Sequence, residues 1–288
     1  MSGTLYLVGT PIGNLRDISF RAIDTLKSVD VIACEDTRHS QILFNEYNIH
    51  KKLISYNKNN ERASAQGIIK LLQEGKNIAL VSDAGMPVIS DPGNILVQEL
   101  IDNNLPYTVI PGANAGLCAM ILSGYDASSF TFIGFLNDKA KVKRAQLVQI
   151  KSSSVPCILY SSCHNLNADL GVLYDTLGAR RVCVVKDITK MFERTTNFVL
   201  GEQTFDDPKG EYVIVVDKPD ESTPSESIEE MYSSLIAEGM DKKQAMKTVA
   251  SKFNISKSEV YKKVIDLYSM TFIFCMQTGI TKIISTPL

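Results

Sequence analysis

Short apolar runs that end in turns of small or polar residues are the feature of this sequence that most constrains its fold. In the first half of the chain they fall at 4–8, 29–34, 52–56, 78–81 and 107–110. Segments with the apolar spacing of amphipathic helices separate them. Strands that alternate with helices at short intervals predict an α/β fold with a mostly parallel, doubly wound sheet.

The turns that follow these strands predict a binding site. They are Gly9–Asn14, Glu35–Arg38, Ser82–Pro87 and Pro111–Ala115. Ligands of doubly wound sheets bind at the carboxyl ends of the strands, and small residues let a ligand approach the backbone. The glycine spacing excludes a dinucleotide fingerprint, and the chain contains no P-loop pattern. We therefore expect a small-molecule pocket that is not a phosphate cradle.

A second α/β unit follows, with strands predicted at 130–135, 157–160, 181–186 and 211–217 and a basic helix over 139–151. A linker rich in Pro, Ser and Glu precedes a helical segment over 228–267. Strand-like runs at 271–276 and 282–284 occupy a tail that we leave unassigned. The predicted domains are 1–122, 123–218 and 219–288, the last holding the linker, the helical region and the tail.

Composition limits the function classes. Hydrophobic residues make up 44% and charged residues 22%, as in a globular protein, and the net charge of −2 requires any nucleic-acid site to be a local basic patch. The six cysteines and three histidines are too scattered for a disulfide framework or a metal cluster. Because no signal peptide and no apolar stretch of roughly 18 residues is present, we expect a cytoplasmic protein without metal or membrane span.

Long ordered strings in the sequence resemble the tetrapyrrole methylase (class III) superfamily and, within it, a family of ribosomal RNA ribose methyltransferases. The strings lie at 9–15, 34–38, 81–93 and 110–113, with further matches at 132–136, Lys139 and 209–213. The resemblance covers about residues 4–265. It implies two α/β domains with mostly parallel sheets, a small C-terminal helical segment, and a cleft between the domains that binds S-adenosylmethionine.

The resemblance also implies an activity and a set of contacts. The activity is methylation of the 2′-oxygen of a cytidine in the decoding region of 16S rRNA, on the 30S subunit, by a homodimer. The first domain would supply the RNA and cofactor side, and the second would complete the cleft. The implied cofactor contacts are Pro11, Asp83, Ala84, Gly85, Ile89, Ala115, Leu159, Tyr160 and Gly210.

Polar residues at the end of the second strand are candidates for catalysis. Glu35 and Asp36 are positioned to accept the hydroxyl proton or to orient the ribose, and Arg38 or Lys139 to hold a phosphate. The alternative for the Glu35–Arg38 segment is a solvated helix cap with local ion pairs. The basic run from Lys139 to Arg144 and the lysines of the C-terminal helices are either an RNA-binding surface or ordinary solvated helix faces.

Two other functions stay open at this point. One is methylation of a tetrapyrrole precursor on carbon by the same fold. The other is a catalytically silent RNA-binding factor of ribosome assembly. The second rests on Ser161–Asn165, where the family typically has Glu-Ser-Pro-His-Arg and this chain reads Ser-Ser-Cys-His-Asn.

Overall fold

The structure, a computed structural model, describes residues 2–206, 209–219, 227–253 and 255–264. Two compact units divide after Asp217. The strands predicted at 271–276 and 282–284, and most of the predicted linker, lie outside the described residues. Within those residues no helix has both the length and the apolar character needed to cross a bilayer.

The first sheet confirms the doubly wound prediction. Its strands are β1 (Leu5–Val8), β2 (Val31–Cys34), β3 (Lys52–Ser55), β4 (Ile78–Val81) and β5 (Tyr107–Ile110), all parallel in the order β3-β2-β4-β1-β5. Its helices are α1 (Phe20–Ser28), α2 (Thr37–Glu46), α3 (Glu61–Gln73), α4 (Asn94–Asp102) and α5 (Ala115–Ser123). A short 3-10 helix, Leu15–Asp17, follows β1.

Both faces of this sheet are buried, which is why its central strands are apolar at every position. In β4, Ile78 and Leu80 pack into one core with α3 and α4, whereas Ala79 and Val81 pack into the other with α1 and α2. Successive side chains of a strand point to opposite faces, so one short run serves two cores.

The loops after β1, β4 and β5 touch one another through backbone atoms. Thr10 and Gly85 exchange backbone hydrogen bonds of 2.9 and 3.2 Å. A Cβ on Gly112 would lie 2.7 Å from the carbonyl carbon of Gly9, and a Cβ on Gly9 would lie 2.7 Å from Gly112. We predicted that small residues here admit a ligand, but Gly9 and Gly112 are required for contact between the two loops.

The second sheet contains β6 (Thr131–Phe135), β7 (Cys157–Ser162), β8 (Arg181–Lys186), β9 (Arg194–Val199) and β10 (Glu211–Val216), in the order β6-β7-β10-β8-β9. One face packs on α5, and the other on α6 (Ala140–Ser152) and α7 (Leu166–Leu177). This second α/β region confirms the predicted fold class, while the domain boundary at 122/123 stays a prediction.

The strand directions of the second sheet correct one detail. Its β6–β7 pair is parallel, but the β7–β10, β10–β8 and β8–β9 pairs are antiparallel. The mostly parallel pattern therefore holds for the first sheet and for the two sheets taken together, and not for the second sheet alone. The connection between β8 and β9 contains no helix, and a short connection joins antiparallel strands.

Some elements and buried faces differ from those predicted. Neither α7 nor β9 was predicted. The apolar spacing over 19–28 predicts Phe20 on the same side of α1 as Ala22 and Leu26. Phe20 is instead 88% exposed, because Ala22 and Leu26 define a buried stripe on roughly the opposite side of the helix. The spacing over 139–151 likewise predicts Val142 and Val148 on the buried side of α6, and both are exposed.

The second unit is a small helical cluster. It contains α8 (Ile228–Ala237), α9 (Lys242–Lys252) and a helical stretch over 257–264, packed around Tyr232, Val249 and Val260. Ser227 and Glu230 form a capping box at the start of α8. The lysines of these helical segments are exposed, namely Lys242, Lys243, Lys247, Lys252, Lys257, Lys262 and Lys263.

We predict that Gly112→Ala lowers the free energy of unfolding by about 1–3 kcal/mol, because the new methyl group meets the backbone of Gly9 and one loop must move. The matched control is Gly67→Ala in α3, where a Cβ meets nothing within 4 Å. The control should gain about 0.5–1 kcal/mol from helix propensity. Urea unfolding measures both, and equal effects in the two variants would contradict the contact.

Candidate functional site

A cavity of about 440 Å³ opens at the carboxyl end of the first sheet and is closed on its far side by the second sheet. We call it the central cavity. The first sheet contributes the loop residues Ile12, Glu35, Asp83, Ala84, Gly85, Met86, Ile89, Ser90, Asp91, Asn114 and Ala115. The second sheet contributes Phe135, Tyr160, Ser161, Ser162, Ile188, Glu211, Tyr212 and Val213.

The loop after β4 forms the floor of the central cavity and is held in an unusual backbone conformation. Gly85 has φ +79°, and the non-glycine residues Val88 and Ser90 have φ +77° and +68°. Left-handed backbone is rare for a β-branched residue. The Thr10–Gly85 bridge and hydrogen bonds from the Ser82 hydroxyl to the carbonyl oxygens of Ala84 and Gly85 support this loop. The loop is therefore shaped before any ligand arrives.

One side of the central cavity is acidic. Burial, together with the charges of Asp91 and Asp83, raises the pKa of Glu35. Burial also raises the pKa of Asp91, against a hydrogen bond from Ser82. The Asp83 carboxylate accepts a hydrogen bond of 3.1 Å from the backbone N–H of Asp36. Carboxylates crowded in this way favour a cationic ligand, which would relieve their mutual repulsion.

The other side is aromatic and apolar. Tyr160 stands between Phe132 and Phe135, with ring centroids 5.2 and 5.5 Å away in edge-on geometry. Its hydroxyl accepts a hydrogen bond from the backbone N–H of Gly116, which fixes the ring. Ile89 and Ile188 add aliphatic surface. Such a wall is suited to the flat face of a heterocyclic ring.

The structure brings most of the predicted cofactor residues together. Those at the central cavity are Asp83, Ala84, Gly85, Ile89, Ala115 and Tyr160. Pro11 lines a smaller neighbouring cavity instead. The side chain of Leu159 is buried in the core of the second sheet, and Gly210 lies beside Asp187 and lines neither cavity. Their contacts with a cofactor stay predictions.

The predicted catalytic residues separate into two groups. Glu35 lines the central cavity, whereas Asp36, Arg38 and Lys139 line neither cavity. Asp36 caps α2, and its carboxylate lies 2.8 Å from the guanidinium of Arg38. The hydrogen bonds from Arg38 lower the pKa of Asp36 to about 2. This is the cap with a local ion pair that we weighed as the alternative.

Lys139 is exposed at the start of α6, where its backbone carbonyl accepts the hydrogen bonds that begin the helix. It is therefore placed on the surface and away from both cavities.

Several site residues were not predicted. Asp91 falls inside the matched string at 81–93, but no pattern in the sequence singles it out. Glu211 belongs to the segment 209–211, which the resemblance places over the cofactor, and it does line the central cavity. Ile188 and Lys190 lie on the turn between β8 and β9, and no pattern in the sequence indicates that this turn reaches the first sheet.

The altered segment Ser161–Asn165 begins at the cavity wall. The Ser161 hydroxyl donates a 2.7 Å hydrogen bond to the carboxylate of Asp169, which is buried and whose pKa burial raises. Ser161 and Ser162 both line the central cavity. At the cavity wall, Ser161 therefore stands where the family typically has a glutamate, whereas Ser162 matches the family's serine. In the part of the chain that the structure describes, no group of three or more His, Cys, Asp or Glu side chains is arranged to hold a metal ion.

Comparison with known proteins agrees with this geometry. The sequence profile of the family described as Tetrapyrrole (Corrin/Porphyrin) Methylases matches residues 4–203. The chain is 41% identical over 271 residues to Ribosomal RNA small subunit methyltransferase I of Bacillus subtilis (strain 168), covering 90% of this chain and 93% of that protein. The protein of the same name from Halalkalibacterium halodurans is 41% identical over 272 residues, with 90% and 93% covered.

Solved structures extend the likeness to the fold. Uroporphyrin-III-C-methyltransferase from Thermus thermophilus superposes with a TM-score of 0.52 over 75% of this chain and 94% of that one, at 18% identity. At such identity the likeness concerns the fold alone. The profile match and the relatives together show that this chain belongs to the tetrapyrrole (corrin/porphyrin) methylase family and, within it, groups with the ribosomal RNA small subunit methyltransferase I proteins.

Proposed function

We propose that this protein transfers a methyl group from S-adenosylmethionine to the 2′-oxygen of a cytidine in the decoding region of 16S rRNA, acting on the 30S subunit. The observation that carries the proposal is the central cavity, acidic on one side and aromatic on the other, in a chain 41% identical to a ribosomal RNA methyltransferase over 90% of its length. The cytidine, its position and its 2′-oxygen come from the resemblance of the sequence.

The residues of the central cavity fit S-adenosylmethionine. The volume of the central cavity, about 440 Å³, lies within the range of small-molecule sites. Asp83, Asp91 and Glu35 offer negative charge to a cationic cofactor, and the wall around Tyr160 offers a stacking surface to its adenine ring. When bound, this cofactor supplies an electrophilic methyl group on a positively charged sulfur.

Catalysis then rests on alignment and on one proton transfer. The cofactor would supply the methyl group to the ribose oxygen, with its sulfur as the leaving group, and a carboxylate of this chain would accept the hydroxyl proton. Of the predicted candidates, Glu35 is the better base, because its raised pKa brings it closer to neutral pH. Asp36, with a pKa of about 2 and its oxygens bonded to Arg38, is a poor one.

Exposed cations are available for the RNA phosphates. Arg38 is 90% exposed at the start of α2, Lys139 is exposed just before α6, and Lys141 and Arg144 are exposed on α6. The exposed lysines of the second unit offer further positive charge. Phosphate neutralisation supplies most of the nonspecific affinity for nucleic acid. These groups support RNA over a tetrapyrrole, as do the names of the relatives.

We also propose a homodimer and a cytoplasmic location. Exposed apolar side chains support self-association: Leu117 and Ile121 lie one turn apart on α5, and Tyr107 and Val109 lie on the same face of β5. Exposed apolar surface is a mark of protein–protein contacts.

The substrate is tested by incubating the protein with labelled S-adenosylmethionine and either 30S subunits, free rRNA or tetrapyrrole precursors. We expect label in the RNA, in a dinucleotide that resists alkaline hydrolysis because its 2′-oxygen is methylated. Label on a tetrapyrrole alone would contradict the RNA substrate. Tight cofactor binding without any labelled product would support the silent RNA-binding factor.

We predict that Asp83→Ala weakens S-adenosylmethionine binding tenfold or more, a loss of about 1.4 kcal/mol. Gly85→Leu should abolish binding, because even its Cβ would lie 3.2 Å from Ile12 and the side chain would fill the cavity. The matched control is Gly124→Leu, which has similar left-handed backbone, φ +71°, but open space around it. Isothermal titration calorimetry gives the affinities, and unchanged binding in both test variants would mean that the pocket is misplaced.

The acidic wall makes a prediction about pH. Because the pKa values of Glu35 and Asp91 are raised on folding, the native state binds more protons than the unfolded state, and stability falls as pH rises above the ordinary carboxyl range. Asp91→Asn removes one of these groups and lowers the pKa of the other. We expect a shallower fall of unfolding free energy between pH 4 and pH 7, roughly the range over which raised carboxyls titrate.

The same variant should shift the acidic limb of the methylation pH profile to lower pH if Glu35 is the base. Asp102→Asn, at an exposed site on α4, is the control and should leave both curves unchanged. If Asp91→Asn keeps the wild-type dependence of unfolding free energy on pH and the wild-type pH profile of methylation, the carboxylates of Glu35 and Asp91 do not interact.

A further inference from the structure

The turn that follows β8 is strained and firmly held. Asp187 and Thr189, neither of them glycine, have φ +49° and +68°. Hydrogen bonds fix the turn: the Asp187 N–H donates to the Glu211 carbonyl at 2.9 Å, and the Thr189 N–H donates to the Glu193 carboxylate at 2.6 Å. Backbone strain of this kind costs on the order of 1–3 kcal/mol per residue and concentrates at functional sites. The turn directs Ile188 into the central cavity and Lys190 into its neighbour.

Lys190 carries a positive charge between two carboxylates. Its ammonium lies 2.8 Å from Glu211 Oε2 and 3.3 Å from Asp187 Oδ1, and the side chain is 33% exposed. Burial acts to lower the pKa of Lys190, but Glu211 and Asp187 outweigh it and raise the pKa above its ordinary value. Lys190 is therefore protonated at neutral pH and acts as a donor and a cation, never as a base.

The neighbouring cavity, of about 290 Å³, lies beside the central cavity, and we call it the flank cavity. The two share Ile12, Asp83, Ala84 and Glu211 as common walls. A group bound in one thus lies next to a group bound in the other. The flank cavity is further enclosed by the loop after β1, the first turns of α2, and Lys190.

The loop after β1 is shaped around Lys190. A Cβ on Gly13 would lie 2.5 Å from Lys190 Cγ, so glycine leaves the room that the lysine stem occupies. The Asn14 N–H donates a 3.1 Å hydrogen bond to the Thr189 hydroxyl. Two loops that are far apart in sequence are therefore built against each other at the point where Lys190 enters the flank cavity.

The other walls of the flank cavity are mixed in character. Pro11, Ile42 and Leu43 offer apolar surface, and His39 offers an imidazole ring. The Ser40 hydroxyl is buried beside the Cys34 thiol and makes no hydrogen bond of ordinary geometry to a described residue. Apolar surface with a few polar groups is typical of small-molecule sites, and a nucleoside needs both.

We propose that the flank cavity binds the acceptor ribonucleotide of the RNA, and that the Lys190 ammonium donates a hydrogen bond to the ribose oxygen that becomes methylated. Lys190 stabilises the negative charge that develops on this oxygen as its proton leaves for Glu35 and its bond to the methyl carbon forms. The assignment rests on the proposed function, because it places the cofactor in the central cavity.

The test replaces Lys190 by methionine, which keeps the length of the side chain without its charge, and by arginine, which keeps the charge. We expect Lys190→Met to lower kcat roughly 100-fold, as removal of one donor to a developing anion does. The loss should shrink only at alkaline pH, as the pH approaches the raised pKa of Lys190, because the wild-type ammonium then loses its own charge. Lys190→Arg should recover part of the rate, and S-adenosylmethionine affinity should change less than twofold in both.

Lys186→Met is the matched control. Lys186 is the last residue of β8, four residues before Lys190, with its ammonium 5.9 Å from the centre of the Tyr212 ring, and it lines neither the central nor the flank cavity. The Lys186→Met variant should retain the wild-type kcat. A wild-type rate in Lys190→Met at all pH values would overturn the proposal, as would a loss of cofactor affinity equal to the loss of activity.

Binding of a single-stranded oligoribonucleotide, followed by fluorescence anisotropy, separates this proposal from the proposed function. We expect weaker RNA binding in Lys190→Met and in His39→Ala, a second variant at an exposed position of the flank cavity. If the wild type binds RNA through these residues without methylating it, the proposed function is wrong, but the proposal that the flank cavity binds RNA is supported. The proposal that the flank cavity binds RNA is overturned if the wild type and both variants bind RNA with equal affinity. It is also overturned if the wild type does not bind RNA.

Discussion

The contact between backbone atoms of neighbouring loops is the constraint on which the site depends. Gly9 and Gly112 touch without side chains between them, and Thr10 pairs with Gly85 across the same edge of the sheet. Each backbone hydrogen bond contributes only about 1 kcal/mol net, but together they fix the loops after three strands in one arrangement. The floor of the central cavity is thus made of backbone, which leaves the side chains of Asp83 and Ile89 free to face a ligand.

Charge explains how this arrangement selects a ligand. The first sheet brings Glu35, Asp83 and Asp91 close enough that burial and mutual repulsion raise two of their pKa values. The second sheet contributes aromatic surface on one side and, at the turn after β8, the Lys190 ammonium. A cationic cofactor beside the carboxylates and a hydroxyl beside the ammonium are the pair of ligands that this distribution favours. The two sheets therefore have separate tasks at one site.

Much of the first half of the fold could be predicted from the sequence, because apolar strands and helix periodicity there are local signals. The gathering of loops at one edge follows from parallel topology alone, and Asp83, Gly85 and Ala115 do lie together. The role of Gly9 and Gly112 could not be predicted, since a close backbone approach depends on which strands are neighbours. The position of Lys190 at the site could not be predicted for the same reason. Lys190 is more than a hundred residues from Asp83 in the chain, and no periodicity joins a turn in one sheet to a loop in another. Asp36 shows the opposite case, where a purely local cap and ion pair account for residues that we had placed in catalysis.

The position of β10 has a consequence for the order in which the protein is made. It is the last strand of the second sheet in sequence, yet it lies between β7 and β8. Those two strands therefore pair with β10 and not with each other. While the chain emerges from the ribosome, the first sheet has all its strands by Ile110, but the second lacks its middle until Val216 has appeared. Until then the apolar edges of β7 and β8 are unpaired and open to wrong partners. The far wall of the central cavity includes Glu211, Tyr212 and Val213, so the cavity is incomplete until β10 has been made. A chain cut short before β10 would have all the strands of the first sheet but no complete site.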